Sequence, residues 1–423
     1  MSRTKYHPMQ SILFIVDGNN ELDHAAPVIY KLSTRENVSV TVSVSSSITK
    51  NDYRIDLLRT TPNIDLQWHH QGIKQKISSS FPPRVVGLLS FLYHSRLGDA
   101  VTSVLDLFGD SSDESMDEFP HSVVAYDWSY SKRSEAVQLG HSDEVATIVL
   151  PHGDSPFINN IENNNQWDRF LKRLADESSY QPVIGYDEHP RMLPHDYLLF
   201  PNELTADRVR QFGAEEHVYE LGSPRYNPEW LARLDTVRPP NAPSMSAELN
   251  VLLFLRHENY FINKKDVENT ISMLEKIRDI GVVMKEHPRK QLLDPSVTDG
   301  METVERIRNE YPSISLIDWA DVVLSLGTTI TFEPVMKRKP VLALEYAHGN
   351  YTTVAHYFSN AEMRTKEDLY HTIYELLENG TDGFYDDAEH ERFVREMITA
   401  GNDSVLDNWA EFIERVVLES DEG

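Results

Sequence analysis

Apolar positions in this chain fall into two patterns. Short strand-like segments, some unbroken and some alternating, occur at 11–16, 38–44, 64–68, 122–127, 145–150, 197–200, 218–221, 250–255, 281–285, 313–317, 320–324 and 340–344. Runs such as Ile12-Leu13-Phe14-Ile15-Val16 do not alternate, so both faces are expected to be buried, as in the strands of parallel sheets. Between them, apolar residues recur at three- and four-residue spacing, which predicts helices over 24–32, 201–212, 265–280, 301–309 and 330–337. Three closing helices follow at 366–377, 389–400 and 405–418, and 82–108 reads as one or two more. The acidic run Asp110 to Glu118 lacks the ordered spacing of a calcium loop and reads as an exposed loop. This alternation predicts an α/β protein with parallel sheets covered by helices.

A chain of 423 residues is too long for one ordinary core. Pro239, Pro240 and Pro243 sit in a stretch with little to bury, the clearest linker in the chain. The expected organisation is an N-terminal domain over 1–237, a linker over 238–248 and a C-terminal domain with closing helices over 249–423. The strand–helix rhythm restarts after the linker. The fold class expected is therefore two Rossmann-like doubly wound domains facing across a cleft.

Charge narrows the partners. Lys and Arg number 40 against 67 Asp and Glu, a net charge of −27. Generic binding to nucleic acid or to an anionic membrane is disfavoured. The acidity is spread along the chain, as a salt-rich cytoplasm and a halophilic source would favour. No cysteine is present, so disulfides and thiolate metal sites are excluded. The apolar run 12–16 is too short for a signal segment, and no stretch approaches the ~20 apolar residues of a membrane span. A cytoplasmic protein is expected.

The candidate chemistry lies at the carboxyl ends of predicted strands, where open α/β sheets bind ligands. His152-Gly153 follows 145–150, and a histidine there suits proton transfer near neutral pH. Arg225 in Gly222-Ser223-Pro224-Arg225, Arg256 after 250–255, and Lys285 with His287 after 281–285 are cations suited to a phosphate. Ser325-Leu326-Gly327-Thr328-Thr329 joins a strand to a helix, a turn through which backbone N–H groups reach an anion. Glu333, one turn on, suits a sugar or ribose hydroxyl. No G-x-G-x-x-G follows the first strand, so no nicotinamide or flavin site is read. No Asp-x-Asp occurs, so no metal is expected to bridge a diphosphate.

In order along 145–344, these motifs resemble those of GT-B fold transferases, the CDP-glycerol glycerophosphotransferase group and its capsule polysaccharide relatives above all. Leu150-Pro151-His152-Gly153 is similar to that group's His-Gly motif, Gly222 to Arg225 to its Gly-x-Pro-Arg, and Lys285-Glu286-His287-Pro288 to its His-Pro. Asp321 through Ser325, Glu333 and Lys339-Pro340 follow its last motif. The chain departs from the group at Asp154, where a threonine is usual, and at Ser325 to Thr329. The resemblance implies transfer of a sugar or polyol phosphate from a nucleotide-activated donor to a hydroxyl of a glycan or lipid-linked acceptor, in surface glycan or glycolipid synthesis. His152 and His287 would be catalytic, and Arg225, Arg256, Lys285, Ser325, Gly327, Thr328, Thr329 and Glu333 would hold the donor, with no cofactor. A lipid-linked acceptor would bring peripheral contact with the inner membrane face. The basic turn Arg256-His257-Glu258-Asn259 also resembles that of UDP-N-acetylglucosamine 2-epimerases, which implies epimerisation as the alternative. Asp127, Asp154 and Glu162 are then the acid–base candidates.

Overall fold

The computed structural model describes residues 10–45, 48–69, 121–127, 145–151, 153, 196–210, 217–239, 243–256, 262–287, 291–308, 310–349 and 352–420. The strands are β1 (Gln10–Val16), β2 (Val38–Ser45), β3 (Ile64–His69), β4 (Val123–Asp127), β5 (Ala146–Leu150), β6 (Tyr197–Phe200) and β7 (Val218–Glu220), then β8 (Leu249–Phe254), β9 (Ile280–Lys285), β10 (Val304–Ile307), β11 (Val322–Ser325), β12 (Val341–Leu344) and β13 (Glu362–Met363). The helices are α1 (Asn19–Leu32), α2 (Tyr53–Thr60), α3 (Glu203–Arg210), α4 (Pro228–Asp235), α5 (Lys264–Leu274), α6 (Ser313–Trp319), α7 (Phe332–Met336), α8 (Thr353–Tyr357), α9 (Lys366–Asn379), α10 (Asp387–Phe393) and α11 (Val405–Ser420).

The first sheet has the order β3-β2-β1-β4-β5-β6-β7 and the second β10-β9-β8-β11-β12-β13. From its own first strand, each sheet runs outward to the third strand on one side and returns to start the fourth on the other. That reversal opens a crevice between the first and fourth strands at their carboxyl ends, where doubly wound sheets take ligands. The apolar runs become central strands: β8 is buried at five of its six positions, and all of β4, β11 and β12 are buried. In the second sheet Asp321 accepts the Asn250 N–H at 2.8 Å, which locks β11 beside β8 and sets Ser325 opposite Phe254.

Two expectations are exchanged in the structure. Residues 301–309, expected helical, contain β10, and 313–317, expected as a strand, form α6. β10 pairs with β9 alone at the sheet edge, so only Val304 and Ile307 of its four residues are buried, a spacing that imitates one helical turn. α6 is short and apolar, the case in which periodicity does not separate helix from strand. Pro312 stands at its start, and Ile314, Ser315, Leu316 and Ile317 are buried. The helix expected over 265–280 ends at Leu274, and Ile280 already opens β9. The segment 389–400 holds the end of α10 and then a π-helical turn, Val394–Thr399.

By compactness the chain divides into two units. Residues up to 152, 190–199 and 406–423 form one, and 153–189 with 200–405 the other. The last helix therefore packs with the first unit, not with the C-terminal domain to which its sequence position assigned it. Asp407 of α11 meets Lys31 and Arg35, each at 3.2 Å, and Phe412 packs edge-on against Tyr197. The proline-rich linker is tacked down: Ser315 donates to the Pro239 carbonyl at 3.0 Å and the Trp319 indole to that of Met245 at 2.9 Å.

Candidate functional site

The β8–β11 crevice carries the best-defined polar cluster. Arg256, two residues past β8 and buried, reaches across to donate to the Gly327 carbonyl and, at 3.5 Å, to that of Leu326. Gly327 has φ +81°, the left-handed region, so the turn after β11 needs glycine there. The N–H groups of Gly327 and Thr328 donate to Ser325 Oγ at 3.1 and 3.4 Å. The turn thus spends on itself two N–H groups that the sequence reading assigned to a phosphate. Both acceptor positions of the Ser325 hydroxyl are used, and its own hydrogen is what remains to offer. The helix expected over 330–337 is a single 3-10 turn, Thr329–Thr331, and the five-residue α7. Ser325, Gly327, Thr328, Thr329, Thr331, Phe332, Thr352, Thr353 and Val354 line a small recess.

Arg225 stands next to Tyr226, which does reach this turn. Its guanidinium lies 5.1 Å from the ring centre of Tyr226, whose hydroxyl donates to the Thr329 carbonyl at 2.7 Å. Behind it, Gly222 has φ +87°, and a Cβ there would fall 2.6 Å from the Val405 side chain. The Ser223 N–H donates at 2.6 Å to the Ile398 carbonyl in the π-helical turn. A π-turn releases carbonyls from the regular ladder, and here one of them fixes the Gly-Ser-Pro-Arg turn.

Other candidates are placed differently. The Lys285 ammonium donates to the Tyr311 carbonyl at 2.6 Å and does not line the recess. Burial lowers it to about 8, with Glu310 opposing. His287 stands half-buried just past β9, beyond Glu286, whose carboxylate pairs with Arg306. Glu333 is buried and pairs with Lys337 at 3.1 Å, which also holds Asp318 at 2.8 Å. Lys339 of the Lys-Pro pair donates to the carbonyls of Ile317, Asp318 and Ala320 at 2.9, 2.8 and 2.6 Å, so it caps α6. Asp127 is buried at the end of β4. His152, Asp154, Glu162 and 257–260 lie outside the described residues. Sequence reasoning missed Thr331, Thr352 and Thr353. The last two follow an irregular stretch after β12 with no periodic signal, and only the β12–α8 connection brings them to the recess. Among the described residues no group of three or more acidic or histidine side chains is placed to hold a metal ion, and no helix is long and apolar enough to cross a membrane.

No family model matches the chain, and no curated protein matches it. Solved structures do. S. aureus MnaA with UDP is similar over 97% of this chain and 97% of its own, with a TM-score of 0.56 at 15% identity. A UDP-glucosyltransferase from Polygonum tinctorium is similar over 98% and 99%, with a TM-score of 0.53 at 12% identity. The wall teichoic acid polymerase TagF is similar over 98% and 90%, with a TM-score of 0.51 at 14% identity. With the two parallel sheets, these likenesses define a GT-B fold of two Rossmann-like domains.

Proposed function

We propose that the chain is a GT-B transferase that moves a sugar or polyol phosphate from a nucleotide-activated donor to a hydroxyl acceptor in surface glycan or glycolipid synthesis. The observation that carries this reading is the small recess at the β8–β11 crevice, lined by Ser325 and five threonines, with buried Arg256 holding its turn. Phosphate oxygens are pure acceptors, and hydroxyls beside a guanidinium suit them. His287, at the neighbouring strand end, would stabilise charge building on the leaving phosphate. His152, after β5, would take the acceptor proton. Glu333 would hold a donor hydroxyl, with Lys337 fixing its carboxylate. No metal or cofactor enters the scheme. The names of the similar structures support it in kind: UDP is bound to MnaA, and TagF is a polymerase of wall teichoic acid. The reading places the protein in the cytoplasm, in peripheral contact with the membrane where its acceptor is lipid-linked.

The test is thermal stability against CDP-, UDP-, GDP-, dTDP- and CMP-linked compounds, for the wild type and His287→Ala. A ligand bound only by the folded state at a hundred times its Kd adds about 2.7 kcal/mol. One nucleotide class should raise the melting temperature, and His287→Ala should lose that gain. No shift from any compound, in folded protein, would overturn the reading.

A second reading, sugar-nucleotide 2-epimerisation, is favoured by the string Arg256-His257-Glu258-Asn259. A UDP-N-acetylglucosamine 2-epimerase from Neisseria meningitidis is also similar over 97% of this chain, with a TM-score of 0.53 at 14% identity. An epimerase alters a sugar nucleotide with no acceptor present, which separates the two readings in one incubation.

A further inference from the structure

Helices α5 and α9 of the second unit pack side by side and leave a groove that the donor site does not use. α5 docks through Val267, Ile271 and Leu274 and α9 through Leu369, Ile373 and Leu376, all in one apolar cluster. Lys366 and Asp266 tie the two helix starts together at 2.9 Å. Beyond that pair, Asn269, Ser272, Met273 and Lys276 on one side and Tyr370 on the other line an open groove of ≈ 410 Å³. Sites for small molecules span about 300–1,000 Å³, so there is room for sugar rings. α5 runs back from the carboxyl end of β8 towards the amino end of β9, so the groove leads away from the β8–β11 crevice.

The lining selects among ligands. Tyr370 is 39% exposed, and the Tyr374 ring lies behind it at 4.7 Å between centres. Tyr374 and Met273 are in turn packed on the apolar cluster, so the exposed ring is braced. Such a ring offers a flat face for stacking. The polar groups beside it are of mixed kind. The Ser272 hydroxyl donates to the Glu268 carbonyl at 2.9 Å, so towards the groove it accepts. The Asn269 carboxamide can donate and accept and the Lys276 ammonium can donate, and neither side chain has a partner among the described residues. A bare anion would meet the acceptors of Ser272 and Asn269. A wholly apolar ligand would bury these polar groups unpaired. A protein partner needs about 800 Å² on each side, more than five side chains supply. A pyranose has what the groove asks for: an apolar C–H face and a rim of hydroxyls that both donate and accept.

We propose that the α5–α9 groove is a carbohydrate site, in which a neutral glycan stacks a sugar ring on Tyr370 and hydrogen-bonds Asn269, Ser272 and Lys276. Its role, holding the acceptor glycan on the enzyme between transfers, rests on the transferase reading; the binding itself does not. No covalent bond forms or breaks there.

The probes are hexasaccharides of glucose, mannose, galactose and N-acetylglucosamine, added at millimolar concentration to the full chain and followed by saturation-transfer NMR. At least one should bind, with transfer concentrated on the C–H protons of one ring face. Tyr370→Ala should weaken that binding about tenfold, and Tyr370→Phe should leave it close to wild type, because stacking needs only the ring. Asn269→Ala should weaken it about fivefold. Both positions are on the surface, so the melting temperatures of the variants should stay near wild type, which separates lost binding from lost folding. If no hexasaccharide binds folded wild type, or if Tyr370→Ala and Asn269→Ala bind as wild type does, the proposal is overturned. If sugars bind through the groove but no nucleotide-linked compound shifts the melting temperature, the site stands and the transferase reading falls. If a nucleotide-linked compound stabilises Tyr370→Ala and wild type alike while no sugar binds, the groove falls and the transferase reading stands.

Discussion

At the scale of single residues, the two lysines of the second sheet show how position decides between chemistry and scaffold. Lys339 belongs to the Lys-Pro that closes the resembled motif, yet its three hydrogen bonds all go to carbonyls at the end of α6. Such an amine holds a helix and has nothing left for a ligand. Lys285 has one bond to Tyr311, and burial brings it down to about 8. A lysine so lowered loses its proton within reach of ordinary buffers. The folded chain then holds fewer protons than the unfolded one between about 8 and the usual lysine value near 10.4. The cost of burying its charge is therefore felt below pH 8 and relieved as pH rises. Brief acetylation followed by mass spectrometry of the peptide carrying Lys285 should show a reaction rate that levels off near pH 8. Lysines of the unfolded chain, with the usual value near 10.4, should still be rising above pH 9. Parallel profiles for the two would refute the lowered titration.

At the scale of elements, the site depends on a turn held from behind by a distant part of the chain. Gly222 has no room for a side chain: besides the Val405 contact, a Cβ would sit 3.0 Å from the Ile398 and Thr399 carbonyls. Its φ of +87° adds a backbone cost for any other residue. Gly222→Ala should therefore lose about 2–3 kcal/mol of stability and shift Arg225 with the turn. The measurement is the denaturation midpoint; an unchanged value would mean that the π-helical turn yields freely. Much of this was legible in the sequence and some was not. Unbroken apolar runs marked β8, β9, β11 and β12, because central parallel strands bury both faces. They failed at β10, an edge strand buried at only two positions, and at α6, a helix too short and too evenly buried to show a period. Arg225, Arg256 and Ser325 were legible as polar residues following strands. The π-turn and the threonines of the recess were not, since Ile398 meets Ser223, and Thr352 meets Ser325, only through tertiary packing.

At the scale of the whole molecule, the question is which electrostatic effect governs stability. The excess of 67 acidic over 40 basic residues leaves a net charge of −27. Against that repulsion stand surface ion pairs such as Arg35 with Asp407, Glu411 and Glu414, or Arg338 with Asp387. Pairs of this exposure contribute only about 0–1 kcal/mol each, and salt weakens them too. A dispersed like-charge excess loses its repulsion over the same range, as the Debye length falls from about 10 Å at 0.1 M to about 3 Å at 1 M. With acidic groups this far in excess, relief of repulsion outweighs the loss of pairs, so the melting temperature should climb steeply in the first several hundred millimolar KCl. Beyond about 1 M, screening is nearly complete, and KCl should add little more. Sulfate would continue to stabilise by its exclusion from apolar surface. A KCl curve that is flat or falling from the start would mean that the pairs carry the balance, and that the acidic surface is no adaptation to salt.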